Sequence, residues 1–157
     1  MQITAEKKVT AALAELIYKT SKMGSEAITD TLPKIKDGKR QGESEKMRAE
    51  LTRQFTEYEK MASEAERYLK SHDLPAEEEN MLAKMASKAG IMMNTMKDPS
   101  PSHVAEMMIK GLSMGITEIT TKTREAEGKG CDEEMLMLAD RLISFQEDAV
   151  DKIKAFL

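Results

Sequence analysis

The sequence is poor in the residues that build disulfides, zinc sites and membrane spans. Among its 157 residues are one cysteine, two histidines, four prolines and no tryptophan. The lone Cys131 can form no intrachain disulfide, and it excludes a zinc site made of several cysteines. No apolar run approaches the roughly 20 residues that a membrane-spanning helix needs. The sequence therefore predicts a fold held together by an ordinary apolar core.

The charge pattern gives no reason to expect nucleic acid or secretion. The 24 lysines and arginines are outnumbered by 28 aspartates and glutamates, and the formal net charge is −4. Nucleic-acid binding, in contrast, depends on clustered lysine and arginine. The N-terminus places Glu6, Lys7 and Lys8 before its apolar residues, which is not the order of a secretory signal. We therefore expect a cytoplasmic protein that binds neither nucleic acid nor membranes.

What the sequence does contain is the material of helices. One third of the chain is charged, and 14 methionines accompany leucine, isoleucine and alanine, a composition typical of helical bundles. Apolar residues recur at helical spacing, which predicts one all-α domain over residues 1–157. Prolines and glycines divide it into helices at about 4–35, 43–70, 76–96, 101–126 and 132–156. No segment alternates with period two, so we expect no sheet.

A faint internal repeat groups these helices into pairs. The segment Met23–Thr29 resembles Met114–Thr120, and alignment of the ends of the 43–70 and 132–156 helices places Tyr58 opposite Gln146. The alternative is a chance similarity between amphipathic helices. If the repeat is real, two helical hairpins are related by a pseudo-twofold axis, with the 76–96 helix crossing between them. This is the layout of a ferritin-like four-helix bundle.

Two stretches also carry a resemblance to known proteins. They are MGSEAITDTLPKI, from Met23 to Ile35, and SPSHVAEMMIKGLSMG, from Ser100 to Gly115. Both resemble a family of small bacterial all-helical proteins without an assigned function. The resemblance implies a ferritin-like bundle and almost nothing about activity.

Three glycines occupy helix interiors at positions predicted to face inward: Gly24, Gly111 and Gly115. A glycine inside a helix costs about 1 kcal/mol relative to alanine. We therefore expect each to permit a close helix approach. In the two-hairpin layout, Gly24 and Gly115 are predicted to lie where the first helix meets the 101–126 helix.

A ferritin-like layout raises the question of a di-iron site. Such a site needs one glutamate from each of two helices and Glu-x-x-His from each of the other two. Helical geometry places Glu26, Glu59 and Glu147 away from the inner face and Glu118 nearer its edge. No histidine stands three residues after Glu59 or Glu147. The sequence therefore argues against a buried di-iron centre.

Only one histidine has a carboxylate at a spacing that can hold a metal. His103 and Glu106 share a helix face, but that face lies well away from the inner stripe. We predict no catalytic residue, no metal and no cofactor. The alternative is a metal or redox protein that binds iron or manganese atypically through His103, Glu106, Glu26 and Glu118.

Uncharged polar residues reach the predicted inner faces instead: Thr20, Thr31, Gln54, Tyr58 and Gln146. Buried polar groups must find hydrogen-bond partners. We predict a structural polar core layer at the level where ligands would lie in a metal-binding relative. The alternative is a pocket for a small polar or lipid-like molecule among Thr20, Tyr58 and Gln146.

The methionines and the cysteine complete the candidates. Methionine fills irregular cores and also recurs on adaptable binding surfaces. We expect most of the methionines of the 76–96 and 101–126 helices to fill the core and any surplus to form a self-association or partner surface; they are Met81, Met85, Met92, Met93, Met96, Met107, Met108 and Met114. Cys131, beside acidic residues, is predicted to be an unreactive loop thiol. We predict a non-catalytic interaction or structural protein. It either forms a homodimer through the 101–126 or 76–96 helix or binds another protein.

Overall fold

A computed structural model describes residues 3–74 and 98–157, and these form four α-helices. They are α1 (Ala5–Thr31), α2 (Glu43–Ser71), α3 (Pro101–Glu127) and α4 (Glu133–Lys154). A 3₁₀ turn, Leu32–Lys34, follows α1. These residues contain no strand, which confirms the all-α prediction for this part of the chain. The predicted helix at 76–96 lies outside the described residues.

The helices begin where local chemistry favours a start. Thr4 caps α1 by accepting a hydrogen bond from the Lys7 amide at 3.2 Å. Gly42 precedes α2 with a φ of +73°, a conformation that glycine adopts without the Cβ penalty. Pro101 is the first residue of α3, as predicted, because its fixed φ suits a first helical position. Asp132 caps α4 through its carboxylate.

The four helices pack as two antiparallel hairpins. Contacts are concentrated between α1 and α2 and between α3 and α4. Smaller interfaces join the hairpins, chiefly α1 with α3 and with α4, and α2 with α4. The helices of the described residues thus form a bundle. None of them is long and apolar enough to cross a membrane.

Two contacts establish that α2 and α3 run in the same direction. At one end of the bundle, the Tyr68 hydroxyl near the end of α2 donates to Asp132 Oδ2 at 2.5 Å, beside the end of α3. At the other end, the Lys36 amide ahead of α2 donates to the Pro99 carbonyl at 3.1 Å, just before α3. The last turn of α2 and the first turn of α3 therefore lie at opposite ends of the bundle.

The core runs along the bundle and draws on all four helices of the described residues. Its largest fully buried apolar side chains are Ile17, Ile28, Met47, Leu51, Val104, Ile119, Met135, Leu142 and Ile153. Each such side chain contributes about 1.5–3 kcal/mol relative to exposure. Two charged residues are buried as well: Glu43, which is 8% exposed, and Lys19, which is only 6% exposed. The aliphatic stem of Lys19 can cover apolar surface while the ammonium stays near the rim.

Candidate functional site

The four metal-ligand candidates are exposed and dispersed. His103 lies at the start of α3, where its Nδ1 is 3.0 Å from Asp98 Oδ2 and 3.0 Å from Ser100 Oγ. Glu106 and Glu118 lie exposed farther along α3, and Glu26 lies exposed on α1. Among residues 3–74 and 98–157, no group of three histidine, cysteine or acidic side chains could hold a metal ion. The described residues therefore do not bring these four candidate ligands together into one metal site.

Glu59 forms an ion pair that joins two helices. The sequence argues against this residue as an iron ligand. Lys22 of α1 donates to its Oε2 at 3.1 Å. Partial burial raises the pKa of Glu59, but hydrogen bonds from Lys22 and Ser25 outweigh it, so the pKa lies below its ordinary value. This carboxylate therefore ties α2 to α1.

Tyr58 and Gln146 form a joint at which all four helices meet. The Gln146 side chain of α4 hydrogen-bonds the Tyr58 hydroxyl, while burial raises the pKa of Tyr58 to about 12. The Tyr58 ring meets Phe145 edge to face, with centroids 4.9 Å apart. On their other sides, the Tyr58 ring lies against Gly24 of α1 and the Gln146 amide lies against Gly115 of α3. A neutral tyrosine and an amide thus link the two hairpins.

The contacts of Tyr58 and Gln146 follow the internal repeat of the sequence. The alignment places Gly24 opposite Gly115 and Tyr58 opposite Gln146. In the structure, Gly24 faces Tyr58 within the first hairpin and Gly115 faces Gln146 within the second. Equivalent positions therefore make equivalent contacts in the two halves of the chain.

The predictions for all three glycines need correction in detail. Gly24 and Gly115 do accept close neighbours, but these belong to the partner helix of the same hairpin and not to the interface of α1 with α3. The inward position predicted for Gly111 is wrong. Gly111 is exposed, and no heavy atom of the described residues would lie within 4 Å of an added Cβ. The inner stripe of α3 passes through Met108, Leu112 and Gly115, and Gly111 lies beside it.

The five predicted polar residues are all buried, but they do not form one layer. Thr20 and Thr31 are separated by about 16 Å along α1. The Thr31 hydroxyl donates to the Ala27 carbonyl at 2.6 Å, a bond within its own helix. The Gln54 amide nitrogen donates to Glu50 Oε2 at 2.8 Å. Of these five residues, Tyr58 and Gln146 are hydrogen-bonded to each other.

Three oxygens in this region are buried without a hydrogen-bond partner in the described part of the chain. They are Ser21 Oγ, Gln54 Oε1 and Gln146 Oε1. A buried acceptor without a donor is costly, by about 1–3 kcal/mol. Internal water commonly satisfies such groups, so the three oxygens do not by themselves indicate a ligand.

A second polar network closes the end of the bundle where α2 stops and α4 begins. The Asp132 carboxylate accepts a hydrogen bond from the Tyr68 hydroxyl, and the Asp132 backbone amide donates one to Thr10 Oγ1 of α1 at 3.0 Å. The Tyr68 ring stacks on His72, with centroids 4.0 Å apart. Burial, the bond to Asp132 and nearby negative charge raise the pKa of Tyr68. This network fastens three helices.

Cys131 lies beside this network and is half-buried. Burial raises the pKa of its thiol, and Asp132 adds to the effect, against a hydrogen bond from Thr10 that lowers it. A thiol with a raised pKa is a poor nucleophile at neutral pH. Cys131 lies in the loop between α3 and α4, and its low reactivity stays a prediction.

A concave apolar feature, the α1–α3 groove, lies on the surface between those two helices. It encloses about 320 Å³. Its lining consists of Val9, Ala12, Leu13, Glu15, Leu16, Lys19, Glu118, Lys122, Glu125, Ala126 and Lys129. The floor is aliphatic, whereas the rim alternates glutamate and lysine on both helices. Such a groove suits the apolar side of another helix.

The groove continues into an exposed strip of α3, the Met114 patch. The patch comprises Ser113, Met114, Thr117, Glu118, Thr121 and Lys122, and it shares Glu118 and Lys122 with the groove. Met114 is 72% exposed, the most of any large hydrophobic side chain in the described residues. Met108 on the same helix is buried, at 8%. We call the groove and the patch together the α1–α3 face.

Comparison with known proteins adds no relative. No family model, curated protein or solved structure matches the chain. The resemblance to a bacterial helical family therefore stays a prediction.

Sequence patterns missed two of these features. The Tyr68–Asp132 bond joins residues 64 positions apart, and helical periodicity holds no information about such pairs. A partial signal existed for Asp132, which precedes Glu133 and Glu134 as helix N-caps commonly do. The α1–α3 groove was also missed, because a gap between helices depends on how far apart the backbones lie.

Proposed function

We propose that this protein is a non-catalytic interaction protein that binds a helical protein partner through the α1–α3 face. We further propose that its bundle has the ferritin-like layout of two hairpins joined by a long crossover. The parallel directions of α2 and α3 support that layout, because the intervening chain must connect opposite ends of the bundle.

The observation that carries the functional proposal is the exposure of Met114 beside an aliphatic groove. An isolated exposed apolar residue needs no explanation, and Met137 on α4, 60% exposed, is of that kind. Met114 differs because it adjoins a concave apolar surface. Methionine adapts its shape to a partner, which suits a docking surface. Exposed apolar surface rimmed by charge is typical of interaction sites.

The two alternatives drawn from the sequence gain less support. The metal alternative needs convergent ligands, and the described positions of His103, Glu106, Glu26 and Glu118 do not converge. The small-ligand alternative rests on the buried hydrogen-bond acceptors near Tyr58 and Gln146. Internal water can donate hydrogen bonds to these acceptors equally well. Neither offers an open site comparable to the α1–α3 face.

Position-specific photo-crosslinking in living cells tests the proposal. A benzophenone amino acid replaces Met114 in one variant and Met137 in the matched control. Both positions are exposed methionines, so the two probes differ in location and not in chemistry. We expect covalent protein adducts at position 114 and few at position 137. Equal yields, or a probe at 114 that reacts only within its own chain and leaves its mass unchanged, would refute the proposed function.

A further inference from the structure

We infer that the partner of the α1–α3 face is a second copy of this chain, bound in an antiparallel α3–α3 pair about a twofold axis level with residue 120. This inference rests on the proposed function and specifies its partner. It is carried by three features of α3: the alignment of one exposed stripe, the order of the charges along it, and the spacing of Met114 from the groove.

The stripe occupies one side of α3. At 100° per residue, Met114, Glu118, Thr121, Lys122 and Glu125 fall within an arc of about 100°. All five are exposed. They also lie away from the buried positions of α3, such as Ile119 and Thr123. A second helix can therefore lie along this stripe without disturbing the core.

The charges along the stripe are self-complementary. A twofold axis pairs the same surface with itself, so each residue of one copy must suit its counterpart in the other. With antiparallel helices and an axis level with residue 120, Glu118 of one copy faces Lys122 of the second copy. The same pair recurs on the other side of the axis. Two opposite-charge pairs form, and neither helix places like charges together at these positions.

The same axis places the exposed methionine over the groove. Position 114 of one copy then lies opposite position 126 of the other, and Ala126 lines the groove floor beside Val9 and Leu13. The Met114 patch spans residues 113–122, and the α3 wall of the groove spans residues 118–126, with Lys129 just beyond the helix. The axis brings the patch of one copy level with the groove of the other. Because a twofold axis keeps Met114 and the groove on opposite sides of a strictly antiparallel seam, the two α3 helices must cross at an angle that carries Met114 towards the groove side. Met114 of each copy would thus fill the groove of its neighbour.

This arrangement divides the energetic roles. Exposed ion pairs contribute little, about 0.2–1 kcal/mol each, so burial of two Met114 side chains must supply most of the affinity. The Glu118–Lys122 pairs select the antiparallel register and exclude other partners. A second copy is favoured over an unrelated acidic or basic helix because the rim alternates both signs.

A charge-swap experiment on the full chain tests the inference. Glu118→Lys and Lys122→Glu are prepared singly and together, and association is measured by sedimentation velocity at low salt, where screening is weak. Each single variant turns two attractive pairs into two repulsive ones, so we expect self-association at least about tenfold weaker. An equimolar mixture of the two single variants should regain association, because the lysine introduced in one chain then meets the glutamate introduced in the other. The double variant should also regain it.

Crosslinking at the axis supplies an independent measurement. Thr121 lies close to the inferred axis, so Thr121→Cys in a Cys131→Ser background should form a disulfide-linked dimer under mild oxidation. Met137→Cys in the same background is the control and should give little. Far-UV circular dichroism confirms that every variant keeps its helix content.

The failure of this inference can be told apart from failure of the proposed function. A wild-type chain that stays monomeric at high micromolar concentration would overturn the inference, as would a mixture of single variants that associates no better than either alone. Photo-adducts at position 114 with a protein of different mass would then leave the proposed function standing. Absence of adducts at position 114 would remove both.

Discussion

Two glycine substitutions of the same kind should have opposite effects on stability. Alanine is better than glycine in a helix interior by about 1 kcal/mol. At Gly111 an added Cβ meets open space, so Gly111→Ala should raise the free energy of unfolding by about 0.5–1 kcal/mol. At Gly24 the same Cβ would lie 2.7 Å or less from the three nearest ring atoms of Tyr58. Real Cβ atoms do not approach carbon so closely, so the ring must move.

The Tyr58 ring has little freedom to move. It is 3% exposed, meets Phe145 edge to face at 4.9 Å, and is hydrogen-bonded through its hydroxyl to Gln146. Overpacking at such a site costs about 1–3 kcal/mol, against a gain of about 1 kcal/mol from helix propensity. Gly24→Ala should therefore lower the free energy of unfolding by up to about 2 kcal/mol. The two variants should differ by as much as about 3 kcal/mol.

Urea unfolding followed by circular dichroism measures both changes. The midpoints should shift in opposite directions at unchanged slope. Because dimerisation would make stability depend on protein concentration, the measurement belongs at concentrations where the midpoint is constant. A double-mutant cycle with Tyr58→Leu isolates the contact, since the Gly24→Ala penalty should shrink when the ring is absent. If Gly24→Ala proves more stable than wild type, the packing of Tyr58 on Gly24 is wrong.

Three further predictions concern the polar contacts between helices. Tyr68→Phe removes the hydroxyl that donates a hydrogen bond to the Asp132 carboxylate. Because hydrogen bonds to charged groups contribute about 1.5–3 kcal/mol, the free energy of unfolding measured by thermal unfolding should fall by that order. Hydrogen bonds from the Tyr68 hydroxyl and the Glu134 amide lower the pKa of Asp132 below its ordinary 3.8. The stability that the Asp132 carboxylate contributes is therefore complete above pH 3.8 and is lost as the pH falls through the folded-state pKa. Asp132→Asn should reduce this acid-dependent loss in a pH series of urea midpoints, and an unchanged pH dependence would contradict the assignment. Glu59→Gln weakens a half-exposed ion pair with Lys22 and should cost less than about 1 kcal/mol by the same assay, whereas a larger loss would assign Glu59 a further role.

Some of this structure followed directly from local sequence. Proline and glycine positions predicted where helices stop, and Pro101 begins α3 as its fixed φ requires. Apolar spacing predicted that Ile28, Leu51 and Leu142 face inward, and all are fully buried. These features depend on one helix at a time. Backbone sterics and a 3.6-residue repeat determine them without reference to any neighbour.

The internal repeat predicted which positions in the two halves of the chain are equivalent, which the pattern of a single helix cannot do. It aligned Gly24 with Gly115 and Tyr58 with Gln146, and the structure places equivalent contacts at both pairs. The alignment could not say which helix each glycine would face. That choice depends on how the hairpins are set against each other, and it differed from the prediction for both residues.

Tertiary structure alone decided what is exposed and what is joined. Gly111 and Gly115 belong to one helix and are four residues apart, yet Gly115 packs on Gln146 while Gly111 meets no neighbour in the described chain. Met108 and Met114 are chemically identical, yet the first is buried and the second is 72% exposed. Periodicity assigns a residue an angle around its own axis, but burial depends on where the adjacent helices lie. Composition and spacing therefore determined that this chain forms helices with apolar stripes, whereas the packing of α1 beside α3 determined that an open groove remains between them.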